Sequence, residues 1–231
     1  NYANFLCDER RDLDRAEAMY RRAIAADPEA LFLCNFATFL CDERRDLDGA
    51  EASYQAALEL DPEHALSLCN YATFLFEERG DAAAAEAMYR RAAEAAPEDP
   101  DAYSCLARLL LEGGRIDEGV AMVEAALVHV DIDAPDAVEA ECWMYVYCCG
   151  GDECREQALA NIRLLVDDRG VTTGTWSFEG VIRRAEALGH PEAGWLRPLA
   201  AVVAGREPAS VLEAWGVWRG LWEGEDELPG S

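Results

Sequence analysis

Lysine is absent from the 231 residues: all twenty basic side chains are arginine, set against 46 carboxylates for a net charge of −26. A chain this acidic repels phosphate backbones, which argues against direct nucleic-acid or anionic-membrane binding. The missing lysine, beside abundant Ala, Arg and Gly, fits a GC-rich genome or a salt-adapted host. Histidine is scarce. His64, His129 and His190 stand apart in the chain, so there is little material for general acid–base catalysis, and no Ser/His/Asp or Cys/His arrangement is legible. No apolar run approaches the ~18 residues that a membrane span needs, and no signal-peptide pattern is visible. No strand is apparent for a Gly-rich phosphate loop to follow, and Gly113-Gly114 reads as a turn between helices.

Cysteine is plentiful but lacks a ligand spacing. The nine are Cys7, Cys34, Cys41, Cys69, Cys105, Cys142, Cys148, Cys149 and Cys154, with no CxxC pair among them. An odd number without a secreted-scaffold pattern predicts reduced thiols and a reducing compartment, the cytoplasm or an organelle reached by import. Cys34 and Cys69 recur at one place in successive repeats, as do Cys7 and Cys41. Neighbouring helices stand roughly 10 Å apart, too far to share a zinc ion at ~2.3 Å per ligand. Packing as small hydrophobes is the expected role. The cluster Cys142, Cys148, Cys149 and Cys154, with His129 nearby, is the strongest metal candidate, yet its spacing does not resemble a zinc knuckle. No metal and no cofactor are predicted.

What the chain does have is repetition. The stretch Asn35 to Pro62 has one copy before it, Asn1 to Pro28, and one after it, Asn70 to Pro97. The steps of 34 and 35 residues between the leading asparagines are the period of a helical solenoid. Each copy reads as two helices. In the second, helix A runs from Leu31 to about Arg45 with Leu33, Phe36, Ala37 and Leu40 on its buried face. Helix B runs from Asp48 to Leu60, with Asp48 as N-cap, Glu51 in capping-box position, and Ala50, Tyr54, Ala57 and Leu58 as its apolar stripe. Asp61-Pro62 ends it. In the third copy Ala83 stands where Asp48 stood, which predicts a weaker cap.

Ala, Tyr, Ala and Pro at offsets 0, 4, 7 and 12 of helix B resemble the tetratricopeptide repeat. They are Ala16, Tyr20, Ala23 and Pro28, then Ala50, Tyr54, Ala57 and Pro62, then Ala85, Tyr89, Ala92 and Pro97. The resemblance covers residues 1–130. The family's usual tryptophan and glycine of helix A are replaced by Cys34 and Thr38, then by Cys69 and Thr73. The resemblance implies an all-α, right-handed α-α superhelix. A divergent fourth copy follows: Asp101 to Glu112, then Asp117 to Val130, with Gly119 at the small-residue position. A weaker fifth pair spans 135–149 and 152–168. Beyond it helices are expected at about 176–188, 191–204 and 208–222.

All six tryptophans lie from residue 143 onward, whereas six of seven phenylalanines lie before residue 77. A solenoid must cover its last apolar face, so the C-terminal part is expected to be a Trp-rich helical cap. Trp215, Trp218 and Trp222 fall on one helical stripe there, read as cap core, with an exposed partner patch as the alternative. The domain reading is 1–133 for the repeats, 134–222 for a degenerate repeat and capping helices, and 223–231 for an acidic tail.

The candidate functional face lies on helix A. Asn1, Phe5 and Asp8 fall at i, i+4 and i+7, as do Asn35, Phe39 and Asp42, and Asn70, Phe74 and Glu77. The partner-binding set read from these is Asn1, Asp8, Asn35, Phe39, Asp42, Asn70, Phe74 and Glu77. The resemblance implies that this concave surface receives an extended peptide or helix, and its acidity points to a basic or neutral protein segment. A second reading stays open: the asparagines satisfy neighbouring backbone and the phenylalanines pack between repeats. The paired carboxylates Asp8-Glu9, Asp42-Glu43 and Glu77-Glu78 recur with the repeat, which reads as structure and not as a catalytic pair. The expected function is a non-catalytic protein–protein interaction scaffold. Because Asn1 already lies inside a repeat, something upstream is expected. That motivates an alternative, the recruiting portion of a larger enzyme. A third, RNA processing by half-a-TPR-like repeats, follows from a related helix-pair family.

Overall fold

The computed structural model describes residues 13–129, 137–168, 170 and 178–214. Among them there is no strand. The helices are α1 (Leu13–Ala26), α2 (Ala30–Phe39), α3 (Leu47–Leu60), α4 (Ala65–Glu77), α5 (Ala82–Ala95), α6 (Pro100–Glu112), α7 (Ile116–Val128), α8 (Ala137–Cys149), α9 (Asp152–Arg163), α10 (Glu179–Ala187) and α11 (Leu196–Val203). Consecutive helices pack as antiparallel pairs, the arrangement of an all-α tetratricopeptide-type solenoid. The chain divides into two compact units between Glu98 and Asp99.

In the first unit the small positions of helix B do what their size allows. Ala16, Ala50, Ala57, Ala85 and Ala92 are fully buried, and Tyr20, Tyr54 and Tyr89 are buried beside them. Tyr20 and Tyr54 each pack on rings of the next repeat. The Tyr54 ring lies 5.5 Å from Tyr71 and 5.6 Å from Phe74 of the next repeat. Its hydroxyl is 3.0 Å from Thr38 Oγ1 in its own repeat. Thr73 stands in the same relation to Tyr89 at 2.8 Å. Each threonine also donates to the carbonyl four residues back, Cys34 or Cys69. This gives a physical reason for threonine where the family has glycine: a buried phenol needs a hydroxyl partner. Cys34, at the tryptophan position, is fully buried.

The turns between helices depart from the sequence expectation. The N-cap of α3 is Asp46, not Asp48; its carboxylate accepts the Gly49 N–H at 3.0 Å. Likewise Asp81 caps α5 through the Ala84 N–H at 3.0 Å, so the third copy is capped as well as the second. Asp48 and Glu51 instead receive Arg79 from the following helix A, at 2.7 Å each. Asp14 and Glu17 receive Arg44 in the same way. Both arginines also lie over a ring of their own helix, Phe39 or Phe74. The last turn of α2 widens to a π turn over Leu40–Arg44, and Arg45 follows at φ 54°. The matching residue one repeat on is Gly80 at φ 68°.

A side chain at Gly80 would meet no atom within 4 Å, so only the backbone conformation resists substitution. Gly80→Ala is therefore expected to cost about 1–2 kcal/mol, the penalty of a left-handed L-residue, in urea unfolding of the whole chain. A cost near zero would show that the turn relaxes to another geometry.

The second unit is built on α8, whose Met144, Tyr145, Tyr147 and Cys148 are all buried. Gly119 of α7 sits where an added Cβ would come 2.6 Å from the Leu111 side chain, which explains the residue at that place. The three later helices appear as α10, as Ala193–Trp195 leading into α11, and as a 3₁₀ turn at Ala209–Ala214. Trp195 is buried and Trp143 partly so. Trp176 and the stripe Trp215, Trp218 and Trp222 lie outside the described residues, as do the tail and the first copy's helix A with Asn1, Phe5, Cys7 and Asp8.

Candidate functional face

In the second and third repeats helix A is covered on most sides, and its exposed stripe can be read residue by residue. On α2, Leu31 and Asp42 are exposed and Asn35 is half-buried between them; on α4, Leu66 and Glu77 are exposed and Asn70 is half-buried. Positions 4 and 11 residues along an α-helix return to within about 40° of the start, so each trio shares one face. Asn35 and Asp42, and likewise Asn70 and Glu77, thus share a face, while Asn1 and Asp8 lie outside the described residues.

The phenylalanines are not with them. Phe39 and Phe74 are only 4% and 3% exposed. Phe39 lies 5.4 Å from Tyr20 and 6.2 Å from Phe36; Phe74 lies 5.6 Å from Tyr54 and 6.2 Å from Tyr71. They pack between repeats, in keeping with the second reading of that ladder, because the tyrosine of the preceding helix B draws them inward. Leu31 and Leu66, which sequence reasoning passed over, take part in the exposed stripe. Their signal was present: the same residue, 35 positions apart, four residues before each asparagine.

Two bonds show that α2 and α4 lie side by side and parallel. Asn70 Nδ2 donates to Cys34 Sγ at 3.3 Å, and further along Arg45 donates to Glu78 at 2.8 Å, so residue order advances together on both helices. Carboxylates crowd the C-terminal end of this face. Asp42 is exposed at its surface, but partial burial of its carboxyl raises it above the ordinary aspartate pKa, and Glu43 and Glu78 add to the rise; the Cys41 thiol and Arg45 pull it down. Cys41 is itself pushed up to about 11, first by burial and then by Asp42 and Glu78. A site so loaded with negative charge is relieved by an added cation.

Burial also acts on other described cysteines. Burial first, in each case, raises Cys34, pushes Cys105 up to about 12 and Cys149 up to about 11, and holds Cys148 well above its ordinary value. A thiol that stays protonated is a poor nucleophile and ligand. Among the described residues no group of three or more His, Cys, Asp or Glu is placed to hold a metal. Cys142 and Cys148 are buried while Cys154 is exposed.

The histidines serve local structure. His64 is the N-cap residue of α4, 2.7 Å from Ser67 Oγ, and His129 stacks on Tyr103. His190 is in a connection, as its neighbouring proline suggested, but it is buried. Its Nδ1 accepts the Glu192 N–H at 3.1 Å, so Nε2–H donates to the Tyr147 carbonyl at 3.0 Å. Tyr147 in turn donates to Glu192 and accepts from Trp195 Nε1 at 2.8 Å. Every member of this node has a partner, which suits a packing role.

Comparison with known families accords with this geometry. Two tetratricopeptide repeat family models match, one over residues 42–100 and one over 76–131. No curated protein matches. Among solved structures, Pseudomonas aeruginosa PilF superposes with TM-score 0.59 at 18% identity, covering 96% of this chain and 93% of that one. PilW, described as a type IV pilus biogenesis factor, gives 0.57 at 20% identity, covering 78% of this chain and 77% of its own. YrrB, described as a TPR protein with an unusual peptide-binding site, gives 0.52 at 16% identity, with 88% and 97% covered. At such identities the likeness speaks for the fold alone. Among the described residues no helix is long and apolar enough to cross a membrane. The registered alanines and tyrosines, the paired helices and the two family matches identify residues 42–131 as tetratricopeptide repeats.

Proposed function

We infer that the chain is a protein-interaction scaffold that holds an extended segment of a basic or neutral partner on the helix A stripe. Asn35 and Asn70 bind the partner's backbone, and Asp42 and Glu77 its cationic side chains. Asn1 and Asp8, outside the described residues, occupy the equivalent sequence positions and would extend the stripe by one repeat. Phe39 and Phe74 form the floor beneath and fix the helix spacing. The observation that carries this reading is the repetition, on two parallel helices, of an exposed or half-buried trio ending in a carboxylate. A face assembled before binding loses little ordering entropy when the partner arrives. The chemistry is recognition and not catalysis.

A random-peptide display selection against the whole chain tests the partner class. The winners are expected to be enriched in Arg and Lys or neutral, and depleted in Asp and Glu. Enrichment of acidic winners would overturn the assignment.

A further inference from the structure

Two of the exposed leucines, Leu31 and Leu66, repeat with the stripe, and the reading above gives them no partner. Leu31 is 39% and Leu66 45% exposed, one at the start of each helix A. Leucine is ordinarily found inside. Two at one repeat position, on the same stripe as the asparagines, form an unpartnered apolar lane. Along each helix, at ~1.5 Å per residue, the amide stands about 6 Å from the leucine and the carboxylate about 10 Å beyond the amide. Three lanes therefore cross both helices: leucines, asparagines and carboxylates.

Parallel packed helices stand ~8–10 Å apart. A strand-like chain would turn residues three apart to opposite sides, but an extended polyproline-type chain advances ~3.1 Å per residue with three residues per turn, so about three residues carry it from one lane position to the next with the same side facing each lane. A backbone lying over Asn35 and Asn70 has the leucine lane on one side, within reach of a short aliphatic side chain. On its other side it has the carboxylate lane, within reach of an arginine or lysine. The Asn70 amide is already oriented by its bond to Cys34.

We propose that the occupant is an extended segment with a three-residue period, each triplet carrying one aliphatic residue for Leu31 or Leu66 and one basic residue for Asp42 or Glu77. Charge complementarity selects it: the chain carries a net charge of −26, and both helices end the stripe in an acidic residue. The proposal rests on the partner-binding role of this stripe and adds the spacing and the apolar element.

The test uses three fluorescein-labelled nonapeptides of identical composition. One is a Leu-Arg-Ser triplet repeated three times, one clusters the leucines at one end and the arginines at the other, and one is scrambled. Fluorescence anisotropy reads binding to the whole chain and to the double variant Leu31→Asp with Leu66→Asp. Both leucines are exposed, so this variant should keep the wild-type melting curve. The triplet peptide is expected to bind at least about tenfold more tightly than the other two, a difference of one decade in Kd, and the double variant should erase that advantage. Equal binding of all three peptides overturns the spacing while leaving the stripe as a partner face. Binding of the triplet peptide unchanged by the double variant overturns the leucine lane. No measurable binding of any of the three overturns the proposal, and the display selection then judges the broader reading separately.

Discussion

Tyr54→Ala is expected to destabilise the first unit by about 3–5 kcal/mol, the range for large aromatic truncations in a core. Tyr54 is 3% exposed, its ring touches Tyr71 and Phe74 of the following repeat, and its hydroxyl meets Thr38 of its own. Removing the ring opens a cavity between two repeats and leaves Phe74 without its neighbour. In a repeat array each unit is held chiefly by those next to it, so the loss falls on the junction that the array cannot do without. Against a total stability of ~5–15 kcal/mol for a typical domain, a large part of the unit's margin goes. Tyr54→Phe keeps the ring and loses only one hydrogen bond, worth about 1 kcal/mol. Urea unfolding followed by circular dichroism separates the two. If the alanine variant cost no more than the phenylalanine one, the ring stack would not be what joins the repeats.

The fold of the first unit was legible because few residue types satisfy its packing. Ala50, Tyr54 and Ala57 recur at a fixed spacing, and the structure buries all three. The turns were harder. In Asp46-Leu47-Asp48 two aspartates compete for one cap, and the outcome depends on how the preceding helix ends. The π turn at Leu40–Arg44 and the left-handed Arg45 bring the chain round early, so Asp46 meets the new helix first. Glu51 was then free of capping duty and became half of the Arg79 clamp. No local pattern announces such a pairing across 28 residues.

The candidate face was legible in part for a similar reason. Asn35 and Phe39 are one helical turn apart, and periodicity alone places them together. Burial separates them: the ring of Tyr20 covers Phe39, while Asn35 is half-buried. Leu31 entered the sequence reading only as the start of helix A, and exposure placed it on the stripe. In the second unit the period fades, and the node of Tyr147, His190, Glu192 and Trp195 joins residues more than forty apart, which sequence spacing could not bring together.

Asp42 makes stability depend on pH. Its pKa is raised on folding, so the native state holds this proton more tightly than the unfolded chain does. The contribution of Asp42 therefore favours the folded state at low pH and is lost as pH rises through the folded pKa. At neutral pH its charge works against the fold. A residue that burdens stability and stands exposed at a repeat position fits selection for binding.

The most direct measurement is calorimetric titration of the whole chain with the tightest display-selected peptide, beside the triple variant Asn35→Arg, Asp42→Arg and Asn70→Arg. None of the three residues is fully buried, so the variant should unfold in the same urea range as the wild type. Placing cations where the partner's cations dock sets like charges together, a cost of several kcal/mol, so affinity should fall by about a hundredfold or more. A folded triple variant that binds the peptide with unchanged affinity would contradict the assignment of this stripe as the partner face.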